Sequence, residues 1–363
     1  MIITLSLVPD IRQTLDNRRL SGLHLLIEPR TWIDDLLEVT VVGSFSRVGP
    51  AVRGRLFRWT PPPTDALVGR TALVTGPTSG LGRQVAGELA ALGARVVLVG
   101  RDRERLTAVR DELVARHGAD RFPTVVADMA SLASIRAATD RILATEPRLD
   151  VLIDNAGAIF PERTMSPDGI ESTLATMVVG PFALVGGLLP VLRRTGGAHV
   201  IAVTSGGQYA QRLDLSDLES DLGDYDGTRA YARAKRAQVT LSREWARRLG
   251  GGIRFDSMHP GWADTPGLSA SLPGFARLMG PLLRTPAEGT DTLAWLATTP
   301  EPPAPGGSLW LDRRARPFDR LPMTRLSKGD RRRLWDLVVR LSGLPDPAPD
   351  HRPTPPARAR RQP

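Results

Sequence analysis

The chain has no cysteine among its 363 residues, which excludes disulfides, thiolate metal sites and a cysteine nucleophile together. Lysine is nearly missing too: of 48 Lys plus Arg, only Lys235 and Lys328 are lysine. The five histidines (His24, His117, His199, His259, His351) are scattered with no pair at ligand spacing, so no metal site is expected. Residues 1–30 lack a basic start leading into an apolar core and a small-residue cleavage site, so the expected location is the cytoplasm. Acid is in slight deficit, and the formal charge is +9. Most arginines nevertheless lie among acids, as in Arg101-Asp-Arg-Glu-Arg105. The excess collects at residues 53–58, 313–316, 331–333 and 358–361. Such ends suit weak contact with anionic surfaces; no nucleic-acid partner is expected.

Against this scarcity the stretch Tyr231-Ala-Arg-Ala-Lys235 stands out. Of the three tyrosines (Tyr209, Tyr225, Tyr231), only the last has a lysine four residues on. That spacing puts both side chains on one helix face, one turn apart. An ammonium so placed lowers the pKa of a phenol by favouring its ionised form. A phenol tuned in this way exchanges a proton with a carbonyl or alcohol oxygen near neutral pH. Arginine would not serve equally, because its guanidinium is planar and not a compact charge.

Residues 1–60 form an N-terminal extension. Within it, residues 32–59 join the apolar run Leu36-Leu-Glu-Val-Thr-Val-Val42 to basic residues among Phe45, Val48, Val52, Leu56 and Phe57. This amphipathic stretch either makes peripheral contact with a membrane or packs on the domain that follows. A proline-rich spacer, residues 61–65, comes next. From 66 to 315 short apolar strands alternate with helical stretches. Strands are expected at 71–75, 95–99, 124–127, 151–154, 199–204, 253–258 and 308–311. Helices are expected near 81–92, 103–117, 132–145, 171–194, 229–249 and 287–297. The alternation predicts an α/β fold, a doubly wound parallel sheet of Rossmann type with about seven strands. A helical extension over 316–343 and a disordered tail over 344–363, rich in Pro and Arg, complete the chain. Residues 172–192 carry no charge and are long enough to span a bilayer. Their place between two expected strands suits a buried crossover or the interface of a homo-oligomer.

The first strand runs into Gly76-Pro-Thr-Ser-Gly80-Leu-Gly82 and then a helix. Glycines there permit a tight turn and let backbone amides approach a pyrophosphate at the helix's positive end. The second strand ends Leu98-Val-Gly-Arg101, with Gly100 where an NAD binder places an acid for the ribose. The Arg101 guanidinium suits a ribose phosphate, so NADP is the expected cofactor, with NAD as the alternative.

These pieces, with others in fixed order, resemble the short-chain dehydrogenases/reductases over residues 69–312. The matching motifs are Thr75-Gly-Pro-Thr-Ser-Gly-Leu-Gly82, Asp128-Met129, Asn155-Ala-Gly157, Thr204-Ser205, the Tyr231–Lys235 pair and Pro260-Gly-Trp-Ala-Asp-Thr265. Val203-Thr-Ser-Gly-Gly207 and the stretch from Met258 to Gly267 are most similar to the group of dehydrogenase/reductase SDR member 12. The resemblance implies that Gly76, Ser79, Gly80, Leu81 and Gly82 line the cofactor phosphates. It implies that Asp128 and Met129 meet the adenine, and that Asn155, Ala156 and Gly157 hold the strand end and adenosine ribose. Pro260, Gly261 and Thr265 would flank the nicotinamide. Ser205 would orient the substrate oxygen, Tyr231 would be the acid/base, and Lys235 would bind the nicotinamide ribose while lowering the Tyr231 pKa. One departure is Met177, where the family usually has an asparagine that holds a water on the lysine's proton path.

The serine–tyrosine interval is long, and its segment 213–228 is acidic. Residues 266–283 are apolar and rich in Gly and Pro where the family has a mobile lid. Leu268, Leu272, Phe275, Leu278, Met279, Leu282 and Leu283 there form either an apolar wall or an interface helix. The first favours a lipophilic alcohol or ketone. The expected function is hydride transfer between NADP(H) and such a substrate. Rival readings are a cofactor-binding scaffold with little turnover, or an extended-branch epimerase whose glycine spacing differs from Gly76, Gly80 and Gly82.

Overall fold

A computed structural model describes residues 29–118, 121–249 and 252–347. The N-terminal extension is therefore described from Pro29 onward, and the expected tail beyond 347 lies outside the described residues. The first elements are the helices α1 (Pro29–Val39), α2 (Val41–Phe45) and α3 (Val48–Leu56). Then β1 (Thr71–Thr75), α4 (Gly80–Ala91), β2 (Arg95–Gly100), α5 (Arg103–His117), β3 (Thr124–Val126) and α6 (Leu132–Thr145) alternate. Next come β4 (Val151–Asp154), α7 (Ser172–Thr195), β5 (Ala198–Val203), α8 (Gly227–Leu249) and β6 (Ile253–Met258). Two short helices, α9 (Pro266–Ser271) and α10 (Pro273–Met279), precede α11 (Pro286–Thr298). The last elements are β7 (Leu309–Leu311), β8 (Arg314–Arg316) and α12 (Lys328–Ser342).

The eight strands form one sheet in the order β3-β2-β1-β4-β5-β6-β7-β8. All neighbours are parallel except β7 and β8, which pair antiparallel. Strands β1, β4 and β5 are buried along their whole length, as expected of a sheet covered by helices on both faces. The expectation of seven strands missed β8. It is three residues long, and its turn holds two non-glycine residues, Asp312 and Arg313, at positive φ of 55° and 54°. That two-residue geometry matches the strand twist but normally calls for Asn or Gly, so the sequence carried no turn signal.

The charge-free stretch is packed inside the domain, as a buried crossover helix. It forms most of α7, which is long and apolar enough to cross a membrane but is mostly buried within the chain. Helix α6 packs on it from one side and α12 covers it from another. From α12, Trp335 lies edge-on to Phe182, with ring centroids 5.0 Å apart, and to Trp245 at 4.8 Å. The C-terminal helix thus closes the same core.

The amphipathic extension also packs on the domain, but with its polar face inward. Arg53 is fully buried and bonds Asp34 at 2.5 Å, Asp312 at 2.5 Å and Glu38 at 2.9 Å. Arg316 bridges both Asp34 oxygens at 2.9 and 3.0 Å, and Arg284 holds Asp312 at 2.7 Å and the Ser44 carbonyl at 2.6 Å. Burial alone would raise the Asp34 carboxyl, but Arg316 and Arg53 outweigh it and hold it below the usual range. Much of the basic excess read at 53–58 and 313–316 is therefore paired within the chain and not available to anionic surfaces.

Candidate active site

Strand β1 lies between β2 and β4, so the loops leaving β1 and β4 diverge and open a crevice at their carboxyl ends. The two loops are tied across it. Asn155 Nδ2 donates to the Thr75 carbonyl at 2.9 Å and the Gly76 carbonyl at 3.3 Å. The amides of Asn155 and Ala156 both donate to Thr75 Oγ1 at 2.9 Å. Gly76 has φ +66°, and a side chain at Gly82 would overlap the Gly76 carbonyl. Gly80, at φ +52°, faces Thr265: a Cβ there would stand 3.3 Å from Thr265 Cβ. The glycine loop and the loop after β6 therefore border one crevice. Ser79 caps α4 with its backbone, while its hydroxyl makes no capping bond. That hydroxyl and the first amides of α4 fit a diphosphate.

Arg101 follows β2 and is exposed with no polar partner among the described residues. Its neighbour Asp102 is engaged instead, capping α5 by accepting from the Arg105 amide at 3.0 Å. Leu81, on the first turn of α4, is half-buried. Asp128 is half-buried and accepts from the Ala130 amide at 2.9 Å, so its carboxyl also shapes its own turn. The Met129 side chain belongs to the core, and its carbonyl lies against Gly180.

Ser205 follows β5, while Tyr231 and Lys235 come from α8, which packs along β6 and β5. The three meet. The Ser205 hydroxyl acts on the Tyr231 phenol, and Lys235 Nζ lies 5.7 Å from the Tyr231 ring centre. The expected lowering of the Tyr231 pKa is absent. Burial pushes the phenol up to about 12, and the nearby Ser205 hydroxyl offsets only part of that. Lys235 is not among the groups that act on the phenol, and its ammonium donates instead to the Val203 carbonyl at 2.8 Å. Gly157 borders the same spot: a methyl there would lie 3.6 Å from both Lys235 Nζ and Met177 Sδ. Met177 thus sits in a π-helical turn of α7 beside the lysine, fully buried.

On the far side, Pro260 is buried and Gly261 has φ +74°. A side chain at Gly261 would overlap the Arg284 guanidinium, and the Phe45 carbonyl lies beside it. Thr265 caps α9, its hydroxyl accepting from the Leu268 amide at 3.2 Å. The residues that sequence reasoning missed cluster here. Phe45, from the extension, lies edge-on to His259 at 4.4 Å and to Trp262 at 5.8 Å. Trp262 in turn meets Phe275 of α10 at 5.1 Å. No local pattern announces a contact between residues so far apart in the chain. Helices α9 and α10 bury no residue, and Leu278 is 80% exposed. In the segment 213–228, Asp217 bonds Arg233 at 3.2 Å, and Asp226 accepts from the Thr228 amide at 2.9 Å.

A crevice of this shape, with a glycine-rich turn on one side and a serine, tyrosine and lysine on the other, defines a dinucleotide-dependent oxidoreductase of Rossmann type. Comparison with known proteins makes the class specific. The family model described as short chain dehydrogenase matches residues 70–273. Bovine dehydrogenase/reductase SDR family member 12 is 39% identical over 260 residues, covering 71% of this chain and 81% of that protein. Mouse polyprenol dehydrogenase is 34% identical over 320 residues, covering 85% of this chain and 94% of that one. A crystal structure of a short chain dehydrogenase from Shigella flexneri complexed with NADP superposes with a TM-score of 0.55. It is 25% identical and covers 65% of this chain and 93% of its own. The chain belongs to the short-chain dehydrogenase/reductase family, NAD(P)-dependent oxidoreductases acting on alcohol and carbonyl groups.

Proposed function

We propose that this protein interconverts a lipophilic alcohol and its carbonyl compound with NADP(H), using Tyr231 as the acid/base. The meeting of Ser205, Tyr231 and Lys235 beside the glycine-loop crevice carries the reading. Gly76, Ser79, Gly80, Leu81 and Gly82 would hold the diphosphate, and Arg101 the ribose phosphate. Asp128 and Met129 would border the adenine, and Asn155, Ala156 and Gly157 the adenosine ribose. Pro260, Gly261 and Thr265 would flank the nicotinamide, which when bound supplies or accepts the hydride. Ser205 orients the substrate oxygen, and Tyr231 delivers a proton to it as charge develops there. A phenol held at about 12 rests protonated, the form needed to donate to a carbonyl. The apolar residues of α9 and α10 favour a hydrophobic substrate, in keeping with the polyprenol named for the mouse relative.

The test is single-turnover oxidation of NADPH with a panel of lipophilic ketones and aldehydes. Turnover is expected with at least one, and Tyr231→Phe should lose it by about 100-fold or more while keeping dinucleotide affinity. A Tyr231→Phe chain that still turns over reassigns the acid. The buried Met177 thioether beside Lys235 supports a second reading, a dinucleotide-binding protein with little turnover. Tight NADPH binding without oxidation by any carbonyl would select it.

We also propose peripheral contact with a lipid surface through the extension. Trp32, Ile33, Leu36 and Val39 of α1 are exposed, opposite the buried Asp34. Elsewhere the extension touches the segment 266–283, where the Arg47 amide donates to the Leu282 carbonyl at 3.0 Å. A lipophilic substrate could then pass from bilayer to cleft without crossing water. Flotation with anionic liposomes should carry the protein upward, and Trp32→Glu with Leu36→Glu should abolish this; unchanged flotation of the double variant counts against the contact.

A further inference from the structure

Asp154 ends β4, one residue before the Asn155 that ties the two loops, and its carboxyl points into the layer between the sheet and α8. It is 5% exposed. One oxygen, Oδ2, accepts from Gln238 Nε2 at 3.0 Å, while Oδ1 has no partner. Gln238 Oε1 is likewise buried and unpartnered. Both line a cavity of about 40 Å³ that is otherwise walled mainly by apolar residues, among them Val178, Phe182 and Trp245. That volume holds a water, and a water there would donate one hydrogen to each orphan oxygen. Gln238 lies three residues after Lys235, so both project from the same side of α8 toward the strand ends.

Lys235 is the counterpart. It is 3% exposed, and among the described residues its ammonium hydrogen-bonds a neutral carbonyl, that of Val203. A buried ammonium without an opposite charge reverts to the neutral amine. Asp154 pairs with Ala202 in the register of β4 and β5, next to the Val203 whose carbonyl holds the ammonium, and it is the one carboxylate acting on Lys235. The other groups facing the pair are neutral at neutral pH: Tyr231 and Gln238 from α8, Thr75 from β1, and Met177 from α7. Asp256 is spoken for elsewhere, by His199 at 3.0 Å and Arg254 at 2.5 Å.

We propose that Asp154, held by Gln238 and by a water in the adjoining cavity, is a positioning residue that keeps Lys235 in its ammonium form. It rests on the reading of Tyr231 and Lys235 as the reactive pair, and adds the group that sustains the charge of Lys235. Burial depresses Lys235 to about 8, and Asp154 opposes that fall. Burial raises Asp154 to about 6, while Lys235, Gln238 and Thr75 restrain the rise. The pair is therefore charged on both sides in a window between those two values. Below it Asp154 takes up a proton; above it Lys235 loses one.

Because the chain has only two lysines, the proposal can be read directly and without cofactor. In protein labelled with ¹⁵N-lysine, Lys328→Arg leaves Lys235 as the single side-chain signal to titrate. Asp154→Asn should move its midpoint down by about one pH unit or more, a tenfold change or larger. The alkaline limb of the pH profile for carbonyl reduction should move the same way. Gln238→Met, which removes the hydrogen bond and leaves the carboxyl, should give a smaller shift of the same sign and serves if Asp154→Asn does not fold. An unmoved Lys235 midpoint in whichever variants fold overturns the proposal. A shifted midpoint in a chain that reduces no carbonyl keeps the charge pair and removes the enzyme reading instead.

Discussion

Two clusters of charge sit on this sheet, at β7–β8 and at β1–β4, and are built on opposite terms. In the clamp that joins the extension to β7 and β8, every strong group has several partners. Asp34 is held by Arg53 and Arg316, and Asp312 by Arg53 and Arg284. At the crevice the groups are under-partnered. Arg101 has no polar partner among the described residues, the Ser79 hydroxyl makes no capping bond, and Asp154 Oδ1 is an orphan. The pKa directions follow: Asp34 is lowered, whereas Asp154 is raised to about 6. A saturated cluster resists change and serves structure, while incomplete valences near a crevice are what a ligand completes.

The largest expected effect comes from breaking the saturated side. Arg53→Leu leaves Asp34 and Asp312 buried with fewer partners, and removal of one member of a buried ion pair costs about 3–5 kcal/mol. Each carboxylate keeps a second arginine, so the loss should fall near the lower end, about 3 kcal/mol. Thermal unfolding should show a midpoint lower by roughly 4–5 °C, the unfolding entropy of a chain this long being large. The sign with pH is fixed as well. Asp34 titrates below its unfolded value, so its contribution is present at neutral pH and disappears as pH falls through its folded value. The difference between wild type and Arg53→Leu should therefore shrink in acid. An unchanged midpoint at neutral pH would mean the clamp contributes nothing.

On the unsaturated side, Arg101→Ala should leave the fold intact because the side chain is exposed. Its expected effect is on the cofactor alone. Loss of a charge-assisted contact to the ribose phosphate should raise the KM for NADPH about tenfold or more, with NADH little changed. Equal changes for both cofactors would place the phosphate elsewhere.

The same contrast explains what the sequence could disclose. The crevice is assembled from strand–loop–helix units in which the informative residues are close neighbours, such as Gly76 with Gly82 and Tyr231 with Lys235. Each strand reads as a short apolar run because both faces are buried. The clamp has no such grammar. Arg53 meets Asp312 across most of the chain, and Phe45 reaches His259 in the same way. An amphipathic helix is ordinarily assumed to bury its apolar side. Here α1 buries Asp34, and no periodicity reveals that its partner surface is a bed of arginines. The direction of Lys235 was equally hidden, since helical spacing gives the face but not which acceptor the ammonium chooses.

The smallest expected effect tests the point where the two regimes meet. Met177 puts an apolar thioether beside Lys235, whose ammonium donates to the Val203 carbonyl. In Met177→Asn the shorter amide leaves room for a water and offers an acceptor to the ammonium. Two opposing terms then nearly cancel. Burying an amide that is only partly bonded costs about 1–3 kcal/mol, while an added bond to a charged group returns about 1.5–3 kcal/mol. Turnover should be unchanged or raised up to a few-fold, with Tm within a few degrees of wild type. A large loss of activity with the fold intact would show that the thioether is needed where it stands, and that Lys235 depends on a dry neighbour rather than on a hydrated one.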